Sequence, residues 1–296
     1  MGLEKINMQN IMAALKQGAA SGVLASGYGY APNNWYVRGG ALSAPTFGRQ
    51  IESLEKLFAL AQPGDVAFLG PGEYDEPNLV IPERLSNFTL IGMGGRGSAF
   101  VEPSLVGAAG IQVLADDVTF VNMGVASEAT GAFSLKIGSQ TVSPARFRAY
   151  QCKFEGNEAA NPGGQVVLQG CGDTILEDCE IAWGVNGIIG DSNDDGFPTQ
   201  TLIRRCWFHD LTTVHVGVGA AEHFVEIWMY KNKHMRDEAG VAPTDFILLS
   251  DNANIGHMAE NQFANATNAT GVITIGTGIL YGPNGTEAGW STARPA

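Results

Sequence analysis

Four residues near the middle of the chain have types that do acid–base chemistry: Asp178, Arg205, His209 and Asp210. Two carboxylates flanking a sugar linkage hydrolyse it, and a base beside a cation eliminates across a uronate. Glu177-Asp178 supplies adjacent carboxylates, and Arg204-Arg205 supplies the cation. His209-Asp210 supplies an imidazole with a neighbouring carboxylate, the pairing of a general base. No serine, cysteine or threonine is marked as a nucleophile beside them.

The segment DSNDDG (Asp191–Gly196) offers different chemistry. Asp191, Asn193 and Asp195, with Gly196, stand at the first, third, fifth and sixth positions of a calcium loop. The twelfth position is Leu202 rather than glutamate, so the pattern is incomplete, and a solvated acidic turn is the competing reading. The glycine-rich MGGRG (Met93–Gly97) follows a strand-like run but opens no helix, and reads as a turn rather than a phosphate cradle. No cofactor is expected.

Where these side chains point depends on a repeat. Met123, Cys152, Cys179, Cys206, Asn232 and Asn261 stand 26 to 29 residues apart. Three positions before them come Phe120, Ala149, Leu176, Ile203, Met229 and Met258, all apolar. Two positions after them come Val125, Phe154, Ile181, Phe208, His234 and Phe263. A fixed period in the twenties marks a solenoid, whose units bury their apolar faces only by stacking. Each repeat carries a second alternating run, such as FSLKI, QVVLQ and FILLS, suited to half-buried strands. The predicted fold is all-β, a single-stranded right-handed parallel β-helix of about seven to eight coils, with like residues lying over like at about 4.8 Å.

In that frame Glu177-Asp178 lies over Arg204-Arg205, and these over Tyr230-Lys231, so the charges read first as ion pairs between coils. Lys153, Glu180 and Lys233 form a second outward column. Cys152, Cys179 and Cys206 share one coil position and read as an interior stack of thiols, with neither a metal pattern nor a disulfide framework around them. His209-Asp210 opens a loop, and chain neighbours rarely face each other. His234 falls at an inward position as a satisfied core histidine, whereas His215 can face either way. Trp183, Trp207 and Trp228 offer stacking surfaces for a sugar, at unequal offsets from the aligned column.

The flanks read differently. Residues 1–47 form an amphipathic helix (3–17) followed by an extended arm, with Tyr28, Tyr30, Trp35 and Tyr36 as its anchoring aromatics. A capping helix is predicted over 48–61, ended by Pro63-Gly64. The solenoid is assigned to 48–280 and a Gly/Pro-rich tail to 281–296. The formal charge of −13 over 296 residues argues against nucleic-acid and anionic-membrane partners and disfavours unaided binding of a polyanionic sugar. No apolar run has signal-peptide or membrane-spanning length, so neither is expected.

The succession of WYV, a helix of the form IxxLxxLFALAQPGD, PGEY, LVIP and FTLIGMGG resembles the first coil of the pectate-lyase-like right-handed β-helix superfamily. The resemblance runs from Trp35 to Gly276 and implies a helix closing the open end of the solenoid. It specifies fold better than function, since that superfamily holds lyases, glycosidases, esterases and virion proteins. The calcium-plus-arginine pattern of its lyases and the paired carboxylate motifs of its polygalacturonases are not recognisable. The expected function is therefore a structural one. The chain looks like a phage capsid decoration protein, a homotrimer on the virion head surface, made in the host cytoplasm and bound to the major capsid protein or another virion protein. The alternative is a polysaccharide-degrading or glycan-binding β-helix protein with an exposed groove.

Overall fold

The computed structural model describes residues 34–37, 49–103, 109–127, 132–156, 164–219, 222–235, 243–263, 273–286 and 289–291. The chain forms a parallel β-helix of about seven turns, with a single short helix among the described residues. One face is an 11-stranded sheet. From Trp35 to Tyr281 its inward residues stack in register, with Leu90, Phe120, Ala149, Leu176, Ile203, Met229 and Met258 in one buried line. A second face stacks Val101, Val125, Phe154, Ile181, Phe208, His234 and Phe263. A third stacks Ile111, Leu135, Val166, Ile188, Val216 and Ile247. Each fully buried Phe or Leu contributes about 2–3 kcal/mol relative to exposure, which is why the period of the sequence sets the fold.

The second and third faces are built from separate strands in most coils. In two coils they are instead one strand, Glu180–Asp191 and Trp207–Val218, because the connecting residues are few enough to stay paired. A register shift between Gly184 and Asn186 takes up the curvature.

The corner between the first and second faces is the same in every central coil. Asn122, Gln151, Asp178, Arg205, Lys231 and Glu260 all have left-handed backbone, with φ from 54° to 59°. The next residue then turns into the core, and all six aligned residues are buried: Met123, Cys152, Cys179, Cys206, Asn232 and Asn261. The thiols of Cys179 and Cys206 reach back to the carbonyls of Ala149 (3.5 Å) and Leu176 (3.4 Å). The asparagines do the same with full hydrogen bonds. Asn232 Nδ2 donates to Asn261 Oδ1 (2.9 Å), and Asn261 Nδ2 to Asn284 Oδ1 (3.0 Å). A stack of thiols thus passes into an asparagine ladder.

The capping helix is shorter than the predicted 48–61. It spans Leu54–Leu60, because Arg49–Ile51 pairs as a strand with Trp35–Val37 and Ser53 caps the helix by accepting from Lys56 N. Glu76 accepts from the N–H groups of Leu54 and Glu55 at 2.7 and 2.9 Å. At the other end Arg84 donates to the carbonyls of Phe58, Ala59 and Ala61. Both side chains lie where the helix dipole favours their charge. Arg84→Ala is expected to cost about 2 kcal/mol by removing charge-assisted bonds from three helix-end carbonyls, measured as a shift of the urea midpoint.

The solenoid is also longer than 48–280. Asn34–Val37 lies inside the first sheet. Asn284–Thr286 adds a strand to the second face, and Gly289–Ser291 folds back on it antiparallel. The predicted helix at 3–17 and the residues Tyr28 and Tyr30 lie outside the described residues. Trp35 and Tyr36 are not free anchors: they are 5% and 4% exposed, and Trp35 Nε1 donates to the buried Asp65 at 2.7 Å. Trp35 points into the core with Val37, whereas Tyr36 alternates to the opposite face of the sheet, in register with Phe68.

Candidate functional site

The corner column and the outer columns beside it bring most of the predicted site residues together. Arg205 forms two parallel bonds to Asp178, Nε to Oδ1 and Nη2 to Oδ2, each 2.8 Å. Glu177 accepts from both Arg204 and Arg205. This is the expected ion pairing between coils, and it puts the two catalytic candidates Asp178 and Arg205 into one pair. Both carboxylate oxygens are held by a guanidinium, whose own pKa the hydrogen bond to Asp178 raises further.

His209 and Asp210 do face each other, against expectation. The left-handed backbone of Asp210 (φ 53°) turns its carboxylate back onto His209 Nδ1, in a short contact. His209 Nε2 lies 3.4 Å from Glu180 Oε1. Burial alone would lower the pKa of this imidazole, but the hydrogen bonds to Glu180 and Asp210 and their charges raise it above its ordinary value. With both nitrogens facing carboxylates, the protonated ring is the fitting state, and it has no lone pair to accept a proton from a substrate. The candidate base His209 is thus bracketed by Asp210 and Glu180.

The sequence left unread how these charges frame a cleft. A depression of about 540 Å³ is lined by Arg96, Arg205, Trp207, Lys231, Lys233 and Met235, with Cys179 and Cys206 at its floor. None of the eight is a carboxylate. Arg96 comes from the turn Gly94–Gly97, whose two end glycines have φ of 103° and 72°. Its guanidinium meets Glu180 Oε2 at 3.0 Å and the carbonyl of Asp178 at 3.3 Å. Lys231 pairs with Glu260, while Lys233 makes no ion pair among the described residues and is exposed. Trp207, 40% exposed, stands directly over Lys233 in strand register. Its ring lies 4.0 Å from that of His209, tilted by 30°. Glu180, beside Trp207 on the preceding coil, has its pKa lowered, first by the hydrogen bond to His209 and then by Lys153 and Arg96, against the effect of burial.

The three tryptophans do not form one platform. Trp228 projects from the first sheet and is 39% exposed, Trp207 projects from the second face, and Trp183 is half-buried with its ring edge-on to His209 at 6.4 Å. A second depression, about 640 Å³, lies beside the capping helix, where Glu76 and Arg84 are already engaged with the helix ends.

The calcium-loop candidates Asp191, Asn193 and Asp195 all make hydrogen bonds within the protein. Asn193 Oδ1 accepts from the N–H groups of Asp195 and Gly196, both at 3.0 Å, and its amide donates to Ser139 and Ser143. Asp191 accepts from Gln169 and Asp195 from Ser143. The oxygens thus tie the loop to the neighbouring coil instead of converging, and the described residues hold no metal-binding group of three.

His215 and His234 both turn into the core, with Nδ1 atoms 3.2 Å apart. His234 is stacked between Phe208 (4.8 Å) and Phe263 (4.7 Å). The expected satisfied core histidine is only half satisfied, since the Nε2 atoms of both rings are buried without a hydrogen-bond partner.

No protein-family model matches the chain, and no curated protein does. Solved structures do. The chain is similar to pectate lyase Pel9A with a TM-score of 0.59 and 11% identity, covering 87% of this chain and 69% of that one. It is similar to a pectin methylesterase solved with a bound hexasaccharide, with a TM-score of 0.56 and 13% identity over 82% and 81% of the two chains. The pectin methylesterase PemA from Erwinia chrysanthemi gives a TM-score of 0.55 and 13% identity, again over 82% and 81%. The fold is therefore the pectate-lyase-like parallel β-helix. These neighbours are pectin-acting enzymes rather than phage proteins, and at such identities the likeness is one of fold.

Proposed function

We propose that this β-helix binds an acidic oligosaccharide in the cleft around Trp207. One observation carries the reading: four cationic side chains and an exposed indole line one depression, with no carboxylate among its lining, on a chain whose formal charge is −13. Net charge governs long-range approach, whereas the field inside a cleft is set by the groups that line it. An indole face receives a sugar ring, and Lys233, paired in register with Trp207, supplies a cation for a carboxylate or sulfate group on it. Binding rather than cleavage is the favoured reading, because Asp178, His209 and Asp210 are all held by other charges.

The virion decoration role has no comparable observation behind it. Residues 1–33 and 38–47 of its attachment arm lie outside the described residues, and Trp35 and Tyr36 are buried.

The test is equilibrium binding of hexagalacturonate, a sulfated hexasaccharide and neutral cellohexaose. Wild type is expected to bind the acidic sugars and not the neutral one, more weakly as salt rises. Lys233→Glu is expected to weaken binding about tenfold or more, since it replaces a cation with no ion pair among the described residues by a like charge to the ligand. Equal binding of cellohexaose would remove the basis of the proposal.

A further inference from the structure

The cleft walls share one buried support. Trp207 packs on His209 at 4.0 Å, His209 Nε2 meets Glu180 Oε1, and Glu180 Oε2 meets Arg96. We infer that His209 is the positioning residue of the cleft: bridging Asp210 and Glu180, it holds the indole of Trp207 and, through Glu180, the guanidinium of Arg96 where a bound acidic sugar needs them. The inference rests on reading the cleft as a sugar site, but it makes a claim about Trp207 that holds without any ligand.

The bridge depends on protonation. The imidazolium has two N–H donors, one for each carboxylate. Losing a proton turns one nitrogen into a lone pair facing a carboxylate oxygen, and the ring or the carboxylate must move away. Every charged group near His209 enters this balance. Asp210 adjoins it on its own strand, and Glu180 faces it from the preceding coil. Behind Glu180 stand Arg96 and Lys153, the latter also paired with Glu155. His215 lies near in the core and stays neutral, its pKa depressed first by burial and then by His234 and His209. Two carboxylates against one imidazole leave the proton favoured, in agreement with the raised pKa of His209. The cleft is thus assembled below that pKa and loosens as pH rises through it.

The experiment follows wild type, His209→Phe and Trp207→Phe from pH 5.5 to 9.5. The Trp207 emission is isolated by difference against Trp207→Phe, and hexagalacturonate affinity is measured at each pH. In wild type both readouts are expected to titrate together with a midpoint above 6.5, affinity falling about tenfold across the transition. His209→Phe keeps an aromatic ring beneath the indole and is expected to abolish the titration in both. A wild-type Trp207 emission that does not change with pH overturns the inference, whatever His209→Phe shows. So does a titration that persists in His209→Phe. Should emission titrate in wild type alone while no sugar binds at any pH, the positioning role stands and the sugar reading of the cleft falls.

Discussion

Asn261→Ala is expected to lower the unfolding free energy by about 4 kcal/mol, the largest loss from any single truncation discussed for this chain. Asn261 Oδ1 accepts from both the backbone N–H and the side-chain amide of Asn232, at 3.0 and 2.9 Å. Its own amide donates to Met229 O at 3.1 Å and to Asn284 Oδ1 at 3.0 Å. Alanine leaves two or three of these groups buried without partners, at about 1–3 kcal/mol each. The thiol column gives the contrast. Cys179 is equally buried, but its contacts to the carbonyls of Ala149 and Glu177 are long sulfur contacts of 3.5 and 3.4 Å. Cys179→Ala is accordingly expected to cost no more than about 2 kcal/mol, the loss of one small apolar group and its cavity. Urea unfolding of the two variants side by side checks both values; a smaller loss for Asn261→Ala than for Cys179→Ala would contradict the ladder.

Acid is expected to destabilise the fold well before its carboxylates titrate. His215 and His234 are fully buried, 3.2 Å apart and surrounded by Phe208, Phe246 and Phe263. Burial pushes His234 down to about 3, and burial with the neighbouring His234 pushes His215 well below its ordinary value. Both groups have folded pKa values below the unfolded value near 6.5. Their stability contribution is therefore present above about pH 6.5 and is lost as pH falls from there toward the folded pKa. With two protons taken up only on unfolding, the loss from pH 7 to pH 4.5 is about 5 kcal/mol. His209 has the opposite sign. Its raised folded pKa gives a contribution fully present below 6.5 and lost as pH rises through the folded value, so it does not deepen the acid loss. His234→Phe continues the stack of Phe208 and Phe263 and is expected to recover about 2–3 kcal/mol at pH 4.5, nearly one histidine's share. Thermal unfolding from pH 7 to 4.5 in both proteins measures it; parallel pH curves would show that these histidines are not the acid-sensitive groups.

Much of the fold is legible in the sequence because a solenoid stacks like on like. The columns through Phe120, Phe154 and Cys179, and the pairing of Asp178 with Arg205, follow from a period that places residues 26 to 29 apart on neighbouring coils. What was not legible depends on departures from that period. Asn284 follows Asn261 by 23 residues, so the last rung of the ladder falls outside the alignment. Arg96 reaches the carbonyl of a residue 82 positions away, across coils that no local pattern connects. Asp210 meets its own neighbour only because its backbone is left-handed, and Asn193 turns from metal to backbone because its oxygen faces two N–H groups. The outward column of Lys153, Glu180 and Lys233 was visible, with Trp207 at the same offset after Cys206; that it borders a cleft with Arg96 and Lys231 needed the structure.

The central claim is the place of binding. Amide hydrogen exchange with and without saturating hexagalacturonate tests it most directly. Protection is expected on the segments that carry the cleft, around Arg96, at Arg205–Trp207 and at Lys231–Met235, with the outer surface of the third face unchanged. Protection centred on the third face, with the Trp207 segments unaltered, would contradict the account.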